Sequence, residues 1–534
     1  MFNIGFHGSH NATIALSYED TILEVVEIER YLSHKNAALF YYESPMEACN
    51  MVYYVNQYFR NKYSIDEYDN IIYNSVDESK FSFVENFGDY NDFSYCLHHV
   101  AHASCAFYQS TYDEALAVSF DGGSDEGFFN IYLMKRGEDP ERLHSGVMDY
   151  AVSYQSAGHH IRNIKHEENI YVGNLVYPGK LMGFVGYGEY NEEFAERLTS
   201  YYKSNTYDHI GHASDRFVAK FKDIMDDEYF FSDKDGKDIA TTNQIVFERL
   251  FYEEVKPFLE KYPNLPLVLT GGCALNIINN TKLAAEREVF VPPNPSDTGI
   301  AVGCLMNHLR PENPIDITYS GSPVWDQMEI GRYIREREGR GIGADEVADI
   351  ILDGGVIGIV RGGGEHGPRA LGNRSLLCDA TNPEMKDFMN SKVKNREPFR
   401  PFSPIVRLQD VNEYFEWDSE CKYMTFSPPV REEYKELLSS ITHVDGTARP
   451  QVVKRSTNPF FYDIITEFYK LTGCGAIVNT SFNTHRRHIN VLANYLNEHG
   501  FKMPITKLKR RRQTEKLHKP INDISHLLNL MKGF

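Results

Sequence analysis

Short apolar runs broken by polar or glycine-bearing turns open the chain, at residues 2–6, 12–16 and 23–28, and this spacing predicts a three-stranded meander. The pattern returns at 115–120 and 128–133, joined by Asp121-Gly122-Gly123-Ser124-Asp125-Glu126-Gly127, so a second, related strand-rich lobe is expected. A further strand at 267–270 runs into Gly271-Gly272 and a helix from Ala274. Residues 136–250 read as mixed and mostly helical, rich in aromatic and charged side chains that would suit the cover of a cleft. The Pro/Gly-rich stretch 310–323 marks a linker. Beyond it the pattern predicts a helix near 327–338 and strands at 356–360, 403–406 and 476–478, which make a separate α/β domain. The expected boundaries are 1–318, 319–500 and a divergent tail, 501–534.

Composition narrows the partners. At 534 residues the chain exceeds one core, and a hydrophobic share of 42% is ordinary for a folded protein. The net charge of −20 repels polyanions and argues against nucleic acid as the main partner. The exception is 502–519, with eight Lys/Arg against one acidic residue, which reads first as a solvated basic tail and second as a nucleic-acid patch. Eight cysteines without a Cys-x-x-Cys pair suggest reduced core residues. The first residues lack signal-peptide character, and no apolar run approaches the ~18 residues of a membrane span. A cytoplasmic protein is expected.

Several segments carry chemistry. Gly364-Glu365-His366-Gly367-Pro368-Arg369-Ala370-Leu371-Gly372-Asn373-Arg374-Ser375 follows an apolar strand and sets two guanidinium forks among glycines, a pattern suited to phosphate or carboxylate. A structural turn with locally paired arginines is the plainer alternative. His98 and His102 are spaced to share one helix face, which suits either a metal ion or a packed histidine pair. The glycine turns at Gly122-Gly123 and Gly271-Gly272 offer backbone N–H groups for a nucleotide, although each alone is more often a simple turn. His10, at a strand-to-turn edge, is either an exposed turn histidine or a proton acceptor.

These features occur together with Ser9-His10-Asn11-Ala12, Gly179-Lys180-Leu181-Met182-Gly183, Gly271-Gly272-Cys273-Ala274-Leu275-Asn276, Phe399-Arg400-Pro401-Phe402-Ser403-Pro404, His443-Val444-Asp445-Gly446-Thr447-Ala448-Arg449 and Asn479-Thr480-Ser481-Phe482-Asn483. In that order they resemble the O-carbamoyltransferases of the NodU/CmcH/TobZ family. The resemblance implies a duplicated actin/hexokinase/TsaD-like domain followed by a YrdC-like α/β domain. It also implies that His98, His102, Asp121 and Asp297 hold a divalent metal, with Fe(II) favoured, while His99 has a supporting role. Nucleotide would lie against Gly122, Gly123, Gly271, Gly272 and Asn276. Carbamoyl phosphate and ATP, with Mg as the nucleotide's companion, would meet Arg369, Lys394, Arg396, Arg400, Arg449, Ser481 and Asn483. His10 and Lys35 would act in transfer, although Asn11 stands where the family usually has Asp.

The implied reaction makes carbamoyl adenylate from carbamoyl phosphate and ATP and then carbamoylates a hydroxyl of a small-molecule acceptor. A tRNA threonylcarbamoyladenosine-type enzyme and a non-catalytic nucleotide-binding protein remain alternatives. After Asn483 the sequence Thr484-His485-Arg486-Arg487-His488 departs from the family pattern, so the resemblance says nothing of the tail.

Overall fold

A computed structural model describes residues 1–32, 39, 45–74, 87–124, 126–164, 170–206, 213–323, 331–332, 334–335, 340–484, 487–488 and 528–530. Lys35, most of the helix expected near 327–338 and nearly all of the tail lie outside the described residues. The chain divides into two compact units. The first comprises Met1–Gly321 together with His366–Pro368, and the second comprises Ser322–Glu365 and Arg369–Phe534.

The first unit holds two five-stranded sheets of the same design. Strands β1 (Phe2–His7), β2 (Thr13–Tyr18) and β3 (Thr21–Glu27) form the expected meander, and β4 (Tyr68–Asn74) and β5 (Tyr90–Tyr95) extend it on the other side in the order β3-β2-β1-β4-β5. β1 runs antiparallel to β2 and parallel to β4. The second sheet repeats this arrangement. Its members are β6 (Glu114–Ser124), β7 (Gly127–Lys135), β8 (Glu141–Gly146), β9 (Leu267–Thr270) and β10 (Val289–Phe290), ordered β10-β9-β6-β7-β8. β6 is antiparallel to β7 and parallel to β9. Central strands of such sheets are covered on both faces, which is why residues 115–120 form an unbroken buried run.

Helix α1 (Pro45–Tyr63) packs on the first sheet through Val52, Val55 and Phe59. Between the sheets' sequences comes α2 (His98–Gln109), whose small residues Ala101, Ala103, Cys105 and Ala106 join a core with Ile300–Met306 of α4 (Ile300–Leu309). The two helices approach so closely that a Cβ added at Gly303 would collide with the carbonyl oxygen of Ala101. The helical region is anchored by α3 (Asp233–Lys261), capped by the Ser232 side chain. The helix expected from Ala274 begins later, at Ile277, and runs to Ala284 after a separate 3₁₀ turn at Gly272–Leu275. Asn276 sets that boundary, because its side chain accepts the N–H of Asn279.

The second unit is built on a mixed sheet. It orders β14 (Gln451–Val453), β13 (Ser403–Arg407), β15 (Ala476–Ser481), β12 (Arg374–Asp379) and β11 (Ile357–Val360), with Leu528–Leu530 beside β11. Helices α5 (Ala344–Leu352) and α6 (Pro459–Thr472) supply Val347, Ile351, Phe461, Ile464 and Phe468 to a core with Ile357, Ile359, Leu377, Ile405 and Ile477. The sequence fixes both ends of α6. Asn458 caps Phe461 N, Pro459 occupies the first turn, and Gly473 adopts φ +73° at the C-terminal end.

Candidate metal centre and cation cluster

The helical spacing of His98 and His102 brings their Nε2 atoms to 3.2 Å of each other. Asp121 joins them where regular pairing of β6 with β7 breaks after Phe120. Asp297 arrives on the short turn Asp297–Gly299 that leads into α4. His102 Nε2 lies 3.1 Å from Asp121 Oδ2 and 3.4 Å from Asp297 Oδ1, and His98 Nε2 lies 3.7 Å from Asp297 Oδ1. One ligand atom from each of the four residues falls within 4.8 Å of all the others. Two imidazole nitrogens and two carboxylates converging in a buried place are a donor set that fits a divalent ion.

The charge balance is tight. Burial disfavours protonated His102, yet Asp121 and Asp297 outweigh it and push the imidazole up to about 9. Burial lowers His98 well below its ordinary value. Burial would raise Asp297, but the neighbouring His10, His98, His102 and His7 hold it well below the usual carboxylate range. A pH dependence follows. A group held above its unfolded value binds more protons when folded, so the stability from His102 is fully present below 6.5 and is lost as pH rises through about 9. Metal-free protein should therefore lose thermal stability across that window. Affinity for a divalent ion should rise across it, because the ligand imidazole must give up its proton. Thermal melts and chelator competition at stepped pH check both, and parallel rather than opposed trends would contradict the arrangement.

His10 lies beside the centre, with Nε2 at 3.3 Å from Asp297 Oδ2 and Nδ1 at 3.1 Å from Asn11 Oδ1. Burial lowers its proton affinity, but Asp297 and Asp121 outweigh that and leave it raised. Sequence reasoning overlooked His7. It ends β1, is fully buried, meets Asn74 Oδ1 through Nδ1 at 3.1 Å and places Nε2 at 3.5 Å from Asp297 Oδ2. A lone histidine in an apolar strand gave no signal of this.

The glycine turns serve Asp121 here. Gly122 N donates to Asp121 Oδ1 at 2.6 Å and Gly272 N donates to Oδ2 at 2.7 Å. Gly123 stands at φ +108°, and Gly271, at φ +88°, has no room for a Cβ against the backbone of Phe120. Asn276 is buried, caps its helix and exchanges two amide hydrogen bonds with Gln244, both 3.0 Å.

A cluster of cations occupies the second unit. Lys394 follows a π-helical turn, Met389–Val393, and donates through Nζ to the carbonyl and hydroxyl oxygens of Ser481 at 2.5 and 3.3 Å. Arg396 bonds Asn390 Oδ1 at 2.7 Å and lies over the Phe402 ring. Arg449 Nε donates to Ser403 Oγ at 3.0 Å, Arg400 pairs with Glu397 at 3.5 Å, and the buried Nε of Arg369 has no hydrogen-bond partner among the described residues.

These groups repel one another. Burial, then Arg396 and Arg400, pull Lys394 well below its ordinary value. Burial, then Arg369, Arg396 and Arg400, do the same to Arg449. Arg369 falls to about 10 and Arg396 to about 9, in each case through burial first and Arg400 second. Arg374 stays apart, spent on the carbonyls of Arg361, Asn373 and Gly362. Glu365 shapes the loop by accepting the N–H groups of Leu371, Asn373 and Arg374 at 2.8, 2.7 and 3.0 Å. The backbone of Asn483 pairs with His488.

A family model for the carbamoyltransferase N-terminus matches residues 67–306, and one for the carbamoyltransferase C-terminus matches 348–497. The chain is 33% identical over 436 residues to nodulation protein NolNO of Sinorhizobium fredii, covering 77% of this chain and 60% of that protein. It is 32% identical over 418 residues to nodulation protein NolO of Bradyrhizobium diazoefficiens, covering 73% of each. Among solved structures, full-length HypF in its phosphate- and nucleotide-bound form aligns with a TM-score of 0.33 and 12% identity, over 59% of this chain and 47% of that one. A likeness that remote carries no argument. The chain belongs to the carbamoyltransferase family.

Proposed function

We propose that the protein is an ATP-dependent O-carbamoyltransferase that works in two stages, activation in a YrdC-like second unit and transfer in an actin/hexokinase/TsaD-like first unit. The observation that carries this reading is the cluster of Arg369, Lys394, Arg396, Arg400 and Arg449. Partly buried cations are costly in the free protein, where burial and neighbouring guanidinium groups hold Arg369, Lys394, Arg396 and Arg449 below their ordinary values, and bound phosphate groups would relieve that cost. Carbamoyl phosphate and ATP supply such groups: hydrolysis of carbamoyl phosphate releases phosphate and carbamate, a carbamate oxygen attacks the α-phosphorus of ATP, pyrophosphate leaves, and the carbamoyl adenylate that forms has a carbonyl carbon made electrophilic by its AMP leaving group. Ser481 and Asn483 would orient the small planar carbamoyl group.

In the second stage an acceptor hydroxyl attacks that carbon, the O-carbamate forms, and AMP leaves. His10 takes the hydroxyl proton at Nε2, since Nδ1 is engaged with Asn11. Asp297 Oδ2, 3.3 Å away, stabilises the imidazolium that results, a role that needs no carboxylate at position 11. His98, His102, Asp121 and Asp297 would hold the metal, Fe(II) by resemblance, and when bound it supplies Lewis-acid polarisation of substrate oxygen. The net charge of −20 favours a neutral or cationic small acceptor over a polyanion.

AMP release that requires both ATP and carbamoyl phosphate, with an acceptor gaining the mass of one carbamoyl group, tests the reading. AMP release independent of carbamoyl phosphate would defeat it. Within this scheme His10→Ala should leave folding, metal content and adenylate formation intact and slow transfer by roughly 10²–10⁴-fold. Single-turnover transfer from supplied carbamoyl adenylate measures this. A rate within a few-fold of the parent would remove His10 from the mechanism.

A further inference from the structure

Just past β6, the strand that carries Asp121, lies Glu126, a buried carboxylate that takes no part in the donor set. Its Oε2 accepts the backbone N–H of His99 at 2.8 Å and that of Val100 at 3.3 Å. These are first-turn donors of α2 that no intrahelical carbonyl can serve, and Leu97, at the N-cap position, offers no side-chain cap. Glu126 Oε1 accepts from Tyr132 OH at 2.8 Å, and Arg142 stands 3.5 Å away. Glu126 is itself fastened, because its backbone oxygen accepts from Asn130 Nδ2 at 3.2 Å and Ser145 Oγ at 3.4 Å. His99 adds a second tie, from Nδ1 to Ser119 Oγ at 2.7 Å and from Nε2 to Gly127 O at 3.0 Å.

We infer that Glu126 is a positioning residue for the two-histidine half of the candidate metal centre, an inference that rests on the metal reading above. Two physical effects act together. Fixing the N–H groups of His99 and Val100 fixes the rotation of α2 about its axis, and that rotation decides whether His98 Nε2 and His102 Nε2 meet at 3.2 Å beside Asp121. The second effect is charge. Both histidines sit in the opening turns of α2, where the helix dipole is positive and opposes a dication. The Glu126 carboxylate offsets that field where the ion would sit. The end of β6 thus supplies a direct donor, Asp121, and Glu126, just beyond it, braces two others.

Cobalt(II) is the probe, because its visible absorption reports ligand geometry and its binding can be competed with a chelator. Whole protein is compared with Glu126→Leu, which removes both effects, and with Glu126→Gln, which keeps an acceptor oxygen and removes the charge. Thermal melts confirm folding. The expected result is a loss of cobalt affinity of about 10–100-fold in Glu126→Leu, the usual size for a group that supports metal ligands, with altered absorption. A smaller loss is expected in Glu126→Gln, with absorption close to the parent. That order separates bracing and charge from a merely structural contact, which would change melting without changing the bound spectrum. If Glu126→Leu fails to fold, reduced cobalt affinity in folded Glu126→Gln supports the role and parental affinity overturns it. Parental affinity and spectrum in folded Glu126→Leu overturn the positioning role while leaving the metal centre standing. A parent protein that binds no cobalt overturns the metal reading, and the role of Glu126 with it.

Discussion

His98→Ala and His102→Ala are each expected to abolish specific metal binding and with it carbamoyl transfer, while adenylate formation persists. Each removes one of four donors that lie within 4.8 Å of one another, and a divalent ion loses most of its selectivity with an incomplete shell. His102→Ala should have the larger effect on metal-free protein. His102 meets both carboxylates, Asp121 at 3.1 Å and Asp297 at 3.4 Å, so its loss leaves two buried acidic groups facing each other. Those groups would take up protons instead, and the metal-free variant should lose the stability that the parent has below 6.5 and sheds towards about 9. Metal analysis of purified variants, together with transfer from supplied carbamoyl adenylate, decides the matter. Full metal occupancy with parental transfer in either variant would end the assignment.

Local pattern made much of this architecture legible, whereas long-range placement escaped it. The strand expected at 267–270 is β9, the runs at 115–120 and 128–133 are the centres of β6 and β7, and the strand expected at 356–360 is β11 (Ile357–Val360). In each, consecutive apolar residues sit in strands covered on both faces, so burial is written into the local sequence. His98 and His102 were visible for the same kind of reason, since a four-residue spacing needs only one helix to bring them together. Asp121 and Asp297 had no such local signal. They are 176 positions apart and became candidates only through the family resemblance. His7 and Glu126 were missed because their partners, Asp297, Asn74 and the opening turn of α2, are supplied by folding. The glycine turns show the converse in one respect: their spacing was plain, but that Gly122 and Gly272 donate N–H groups to Asp121 was not.

Arg449→Ala should stop the first stage, lowering carbamoyl adenylate formation by at least ~10²-fold, the scale on which a single positioned donor to developing charge acts. Its effect on the free protein should run the other way. Arg449 is partly buried beside Arg369, Arg396 and Arg400, which disfavour its charge, and its Nε has Ser403 Oγ as a partner. Removing it relieves repulsion against the loss of that hydrogen bond, so the ligand-free variant should melt at or above the parent's temperature. Lys394→Ala should behave alike in activity, with a smaller gain in melting, because it forfeits two contacts to Ser481. ATP or carbamoyl phosphate should stabilise the parent in proportion to occupancy and stabilise Arg449→Ala much less. Carbamoyl adenylate supplied directly should restore transfer in both variants, since the first unit and His10 are untouched. Melting curves with and without each substrate and adenylate formation rates separate the outcomes. Normal adenylate formation in both variants would show that activation occurs elsewhere, and a melting temperature well below the parent's would show that the cations are held by structure and not for a ligand.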